Sequence, residues 1–114
     1  MNILEVKINK FKYKNSKEII LKNLSWTELD KFTKKKTLAA LTGVDMKGFY
    51  TLLFFRSAKA RFLSKEFETI NEIASKIAEQ TGINFKKKAI FYSSDICSKT
   101  VNLMKENGYK YDSM

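Results

Sequence analysis

The sequence predicts a single α+β (or α/β) domain over residues 1–114, with helices packed on a mixed sheet in two layers. Three observations carry that expectation. The N-terminal stretch alternates apolar and polar residues, residues 49–56 form a nearly continuous apolar and aromatic run, and residues 64–82 carry an amphipathic helical stripe. Read in order, the elements run roughly ββα(α)β(β)αβα. A chain of 114 residues buries roughly two-thirds of the surface its unfolded form exposes, so its core needs no disulfide or metal staple. A hydrophobic content of 44% with 13% aromatics suits a globular domain rather than a disordered tail. No internal repeat, low-complexity tract or linker divides it.

"NILEVKINKFKYK" (2–14) alternates as a half-buried strand does, with Leu4, Val6 and Ile8 on one face and Glu5, Lys7 and Asn9 on the other. Beyond Asn9 the sense inverts, so either a bulge re-registers the strand or Phe11 and Tyr13 face away from the core. "KNSK" reads as a turn and "EIILKNL" as the returning strand of a hairpin. In "SWTE", Ser25 and Glu28 have capping-box spacing, which predicts a helix presenting Trp26, Leu29 and Phe32. "TKKK" (33–36) extends or breaks that helix before "TLAAL", with Gly43 as its C-cap.

"FYTLLFFR" (49–56) is short and β-rich, as expected of a central strand buried on both faces. "SAKA" either turns it into a second strand, "RFLS", or opens the next helix. That helix, "SKEFETINEIASKIAEQTG", places Phe67, Ile70, Ile73, Ala74, Ile77 and Ala78 on one stripe. Ser64 is its expected N-cap, Glu66 and Glu68 complement its first turn, and Gly82 ends it. "KAIFYSS" is the last expected strand, followed by a helix from about Ser98 to Asn107, started by Asp95 or Ser98 and closed by Gly108.

The chemistry the chain lacks is as informative. With no histidine, Ser–His and Cys–His dyads and two-histidine zinc motifs are excluded, and one cysteine leaves no structural zinc site. Four dispersed glycines build neither GxxxxGK[ST] nor GxGxxG. No cofactor and no metal is therefore expected. The N-terminus has no apolar segment of signal-peptide length and no run approaches the roughly 18 residues of a membrane span, so a cytoplasmic protein is expected. A lone cysteine agrees with a reducing compartment.

Glu5-Val6-Lys7 resembles the Glu-x-Lys arrangement on the catalytic strand of restriction-type nucleases. That resemblance implies a carboxylate holding magnesium and a lysine activating water. Such folds also require an upstream acidic ligand, and none of the four residues before Glu5 is acidic. The stretch "IFYSSDICSKTVNLMKENGYKYD" (90–112) resembles the opening strand–loop–helix of thioredoxin-fold proteins of the glutaredoxin and arsenate-reductase type. The resemblance implies Ile90, Phe91 and Tyr92 as the strand, Cys97 as nucleophile at a helix start, and Thr100 in the resolving position. The same outline resembles the βα unit of helicase C-terminal lobes. The chain has neither proline nor a second cysteine, so Cys97 as a small buried residue beside Ile96 and Val101 is the preferred reading.

Twenty-two Lys+Arg against 12 Asp+Glu leave a net charge of +10, which attracts polyanions. Lysine supplies nearly all of it, since Arg56 and Arg61 are the only arginines. Four stretches combine charge with stacking groups: Lys10, Phe11, Lys12 and Tyr13; Lys34–Lys36; Arg56, Lys59 and Arg61 beside Phe54 and Phe62; and Lys86, Lys87 and Lys88. A surface for single-stranded nucleic acid wants that combination. The leading expectation is a module binding nucleic acid or an acidic protein partner, without catalysis of its own, centred on Arg56, Lys59 and Arg61. One alternative is an adaptor or homo-oligomer using the aromatic supply around Phe49, Tyr50, Phe54, Phe55 and Phe62. The other is thiol-dependent activity at Cys97.

Overall fold

The computed structural model of the chain describes residues 10–12, 18–45 and 47–113. Strands β1 (Lys10–Lys12), β2 (Glu18–Thr27), β3 (Leu38–Asp45) and β4 (Tyr50–Arg56) precede helix α1 (Ser64–Thr81). Strand β5 (Lys87–Tyr92), helix α2 (Ser98–Glu106) and strand β6 (Tyr109–Ser113) follow. The spatial order is β1-β2-β3-β4-β5-β6. Strands β2 to β6 make a mixed five-stranded sheet, and β1 pairs onto the outer side of β2. Neighbours are antiparallel as far as β4, then parallel. The switch follows from connection length, because a parallel neighbour requires a long crossover and α1 and α2 supply the two crossovers. No helix among the described residues is long and apolar enough to cross a membrane.

Helix α1 follows the expected stripe: Phe67, Ile70, Ile73, Ala74 and Ile77 are buried. It ends on Gly82 at φ 68°, whose N–H reaches back to the Ala78 carbonyl at 2.9 Å. This left-handed position suits glycine because it carries no Cβ. Both helices pack on one face of the sheet. Leu38, Ala40, Leu52, Phe54, Ile90, Tyr92 and Tyr109 meet the helices there in the larger core. A smaller cluster on the opposite face joins Leu41, Leu53, Ala89 and Phe91, with Leu24 and Phe55 against it. Burial on both faces explains the unbroken apolar run of β4.

Several elements differ from expectation. Ser25 does not cap a helix: β2 runs on through it, pairing Ser25 with Thr42, Trp26 with Leu41 and Thr27 with Ala40. Lys22 to Ser25 oppose Val44 to Thr42, so β2 carries one extra residue, and Asn23 takes φ 54° there. After Thr27 a turn remains, in which the Leu29 carbonyl accepts the N–H groups of Phe32 and Thr33. "TLAAL" becomes β3 despite its helix-forming residues, and Gly43 lies mid-strand opposite Thr51. The N-caps are Leu63 and Cys97, each one residue before Ser64 and Ser98. "RFLS" is no strand, although Phe62 makes a single bridge to Ile96. "KAIFYSS" is not the last strand: β6 follows α2 and is tied to α1 through the Tyr109 hydroxyl, which donates to Asn71 at 2.9 Å. The expected strand face of Leu4, Val6 and Ile8, the Glu5-Val6-Lys7 motif, Tyr13 and the "KNSK" turn lie outside the described residues.

Because Ser25 lies in a strand and contributes its carbonyl, not its hydroxyl, to Thr42, Ser25→Ala should change stability by less than about 0.5 kcal/mol. A lost helix cap would cost about 1 kcal/mol. Urea unfolding of the two proteins separates these values.

Candidate polyanion-binding edge

Strands β4 and β5 run parallel and end together, at Arg56 and Tyr92. Each leads through a short loop into a helix, so α1 and α2 both begin at this edge of the sheet. The two loops are joined by backbone bonds: the Phe62 N–H donates to the Asp95 carbonyl at 2.8 Å, and the Cys97 N–H to the Phe62 carbonyl at 3.3 Å. Neither helix has a side-chain cap hydrogen-bonded to its first turn. The N–H ends of both helices therefore add positive potential to this edge.

Arg56 is where expectation and structure part most clearly. It was expected on a nucleic-acid surface, yet it is 1% exposed. Alternation on β4 puts it on the helix-packed face behind Leu52 and Phe54. Its Nε donates to Glu66 Oε2 at 2.7 Å and its Nη2 to Glu66 Oε1 at 3.0 Å. Nη1 donates to Ser94 Oγ at 2.7 Å and to the Ala58 carbonyl at 3.3 Å, and the guanidinium lies 4.8 Å from the Phe62 ring centre. A planar fork that meets a carboxylate bidentately is what arginine offers and lysine does not. Its role is to join β4, α1 and the loop after β5.

The exposed cations gather around that buried pair. Lys59, Arg61 and Lys65 lie on the loop and first turn before and within α1, and Lys99 on the first turn of α2. Lys34, Lys35 and Lys36 reach the same edge from the β2–β3 loop. That loop is held by the Ser57 N–H on the Thr37 carbonyl at 2.8 Å and by Lys35 Nζ 3.9 Å from Glu66. Glu28, Asp30 and Asp95 are the exposed carboxylates of these segments, and Asp30 stands 4.0 Å from Lys36. The only acidic residue in either first turn is Glu66, which Arg56 engages.

Cys97 sits between the two helix starts. Its Sγ lies 2.8 Å from Thr100 Oγ1, and that hydroxyl also reaches the Phe62 carbonyl at 3.2 Å. The Thr100 hydroxyl holds the thiol below its ordinary pKa, helped by the Thr100 and Ser64 N–H groups and the Arg61 charge, against a smaller opposing effect of burial. In the thiol form Cys97 donates to Thr100, which donates on to Phe62. In the thiolate form the hydroxyl must turn back to the sulfur. Sequence reading placed Cys97 at a helix start correctly but had no means of seeing Ser64 and Arg61 beside it.

The other expected cation sites lie elsewhere. Lys86, Lys87 and Lys88 stand at the opposite edge, where β5 starts, beside the β3–β4 turn. Asp45 organises that turn, accepting the N–H groups of Lys47 at 2.9 Å and Phe49 at 2.8 Å and pairing with the Lys87 ammonium. Lys87 is the first cause of the lowered Asp45 pKa, and the two N–H groups act in the same direction. Lys10, Phe11 and Lys12 form β1, across β2 and β3 from β4. Among the described residues no group of three or more Cys, Asp or Glu side chains is placed to hold a metal ion.

The fold and edge so described define a small α+β domain with a mixed sheet. No protein-family model matches the sequence, and no match is found among curated proteins. The domain is similar to a solved structure of EndoMS in apo form, with a TM-score of 0.56 and 12% identity. The likeness covers 84% of this chain and 38% of the EndoMS chain, and at that identity it concerns the fold alone.

Two outcomes test this geometry. Glu66→Gln leaves the enclosed guanidinium without its counter-charge and should cost about 3 kcal/mol in urea unfolding. The rate of Cys97 alkylation should rise to its plateau with a midpoint below the roughly 8.5 of a free thiol, and Thr100→Val should move that midpoint upward.

Proposed function

We propose that the protein is a cytoplasmic module that binds nucleic acid through phosphate contacts at the strand-exit edge. One observation carries the reading: two helix starts without side-chain caps meet between Lys59, Arg61, Lys65 and Lys99. Backbone N–H groups and flexible ammonium groups both suit phosphate oxygens, and neither reads bases. Recognition there is by charge and shape, with Arg61 the one exposed fork able to grip a phosphate bidentately. The net charge of +10 supplies long-range attraction. The EndoMS likeness is compatible with this reading and does not carry it.

A second reading, thiol chemistry at Cys97, is supported by the lowered thiol pKa and the Thr100 contact. The adaptor reading keeps a narrower basis. Phe54 and Phe62 are fully buried, which leaves Phe49 and Tyr50 as the exposed members of the aromatic supply.

Binding of labelled DNA and RNA, single-stranded and duplex, across a salt series tests the leading reading. Affinity should fall roughly a hundredfold between about 50 and 200 mM salt, because each neutralised phosphate releases condensed counterions. Replacing Lys59 and Arg61 together by alanine should weaken binding and reduce the slope of log K against log salt by about 2. Salt-independent binding, or none at low salt, would overturn the proposal.

A further inference from the structure

The edge opposite the helix starts carries two aromatic rings that a phosphate contact does not use. Phe49 is 41% exposed and Tyr50 47%, at the point where the β3–β4 turn enters β4. Neither ring packs against another aromatic ring among the described residues. Trp26, nearly as exposed at 40%, is by contrast held edge-on against Phe55 at 6.1 Å. The turn is made by the Asp45 carboxylate and by Gly48 at φ 85°, so its geometry requires no aromatic side chain at 49 or 50.

The chain brings lysines to these rings from far along the sequence. The Lys86 N–H donates to the Tyr50 carbonyl at 3.1 Å, and the Lys87 ammonium stands 5.8 Å from the centre of the Phe49 ring while paired with Asp45. Lys47, in the turn itself, is exposed, and its N–H is held by the Asp45 carboxylate. Tyr50 opens β4 and Phe49 immediately precedes it. The tip therefore offers two exposed rings side by side in sequence, with the Lys87 ammonium near that of Phe49.

We propose that this hairpin tip is a stacking contact for the unpaired bases of a single-stranded nucleic acid, an inference that rests on the nucleic-acid reading above. Single strands expose base faces that a duplex hides, and aromatic side chains bind them whatever the base. An acidic peptide would engage the lysines and leave the rings without a role. Charge at this edge is also weaker than at the other, because Asp45 offsets Lys87 and both helices present their carbonyl ends here. Stacking rather than phosphate neutralisation is thus what this tip adds. It lies one strand length, about 20 Å along β4, from the strand-exit edge, so the two contacts are separable by substitution.

The test compares an oligothymidylate with a hairpin duplex of equal length, using the full chain and its variants at one moderate salt concentration and across a salt series. The Phe49→Ala, Tyr50→Ala double variant should bind the single strand at least tenfold more weakly, since each ring–base stack is worth roughly ten- to a hundredfold. Its duplex affinity should stay within about twofold of the parent, with the salt slope unchanged. Phe49→Tyr and Tyr50→Phe, which keep the π-faces, should restore single-strand binding. Unchanged single-strand affinity in the alanine variant, beside a loss on replacing Lys59 and Arg61, overturns the stacking contact and leaves the proposed function standing. An equal loss on duplex and single strand overturns it too, as does weakened binding of polyglutamate in place of the oligonucleotide. A parent protein that binds none of the nucleic acids overturns both.

Discussion

A charged side chain enclosed in a small domain must have its hydrogen-bond donors met, because an unpaired buried charge costs several kcal/mol. Arg56 imposes that constraint here. It is the last residue of β4, it faces the helices, and its partners come from three other places in the chain: Glu66 on α1, Ala58 on the following loop and Ser94 after β5. Meeting those donors fixes where α1 starts relative to the ends of both parallel strands. The Phe62–Ile96 bridge then follows, since the loop carrying Phe62 is pinned at Arg56 and Ala58 on one side and at Asp95 on the other. A buried ion pair of this kind adds little net stability compared with an apolar replacement, but it tolerates only one arrangement of the groups around it.

That arrangement has an electrostatic consequence. Each crossover helix leaves the finishing end of one parallel strand and returns to the starting end of the next. Both helices therefore point the same way, and their partial charges add rather than cancel. Nitrogen-bearing ends gather at the strand-exit edge and carbonyl ends at the edge where β5 and β6 begin. Glu66 would ordinarily offset the first of these, being in the first turn of α1, but it is engaged by Arg56. Cys97 feels the result directly: its sulfur stands where a capping oxygen would, between the start of its own helix and that of α1.

How far the fold could be read from sequence depended on whether local pattern and tertiary setting agreed. Helix α1 was legible because its stripe, first-turn acids and terminal glycine all point one way. Strand β4 was legible because a short run buried on both faces admits few alternatives. Ser25 to Thr27 misled because capping-box spacing competes with β-forming Trp26 and Thr27, and the sheet settled the matter through β3. Leu38 to Leu41 misled for a related reason. Helix-forming leucines and alanines with no polar alternation give periodicity nothing to report, yet both faces of β3 are buried. Arg56 was read as a surface residue from its type and its place beside a turn. Its phase on β4, in step with Leu52 and Phe54, was the available sign that it points inward, and Glu66 ten residues on was a partner within reach.

The two edges illustrate why a basic composition says less than the distribution of its charges. Lysines cluster at both ends of the sheet, and sequence ranked the clusters only by the two arginines, one of which is buried. Topology does: at one end they add to the helix starts, while at the other they stand beside helix carbonyl ends and an acidic turn. On the proposed reading, that polarity suits the strand-exit edge to phosphate and leaves the opposite edge to the exposed rings of Phe49 and Tyr50, whose stacking on a base would depend on contact area and scarcely on ionic strength. Two helices running the same way between parallel strands would then separate the proposed phosphate contacts from the proposed stacking contact by about the length of β4.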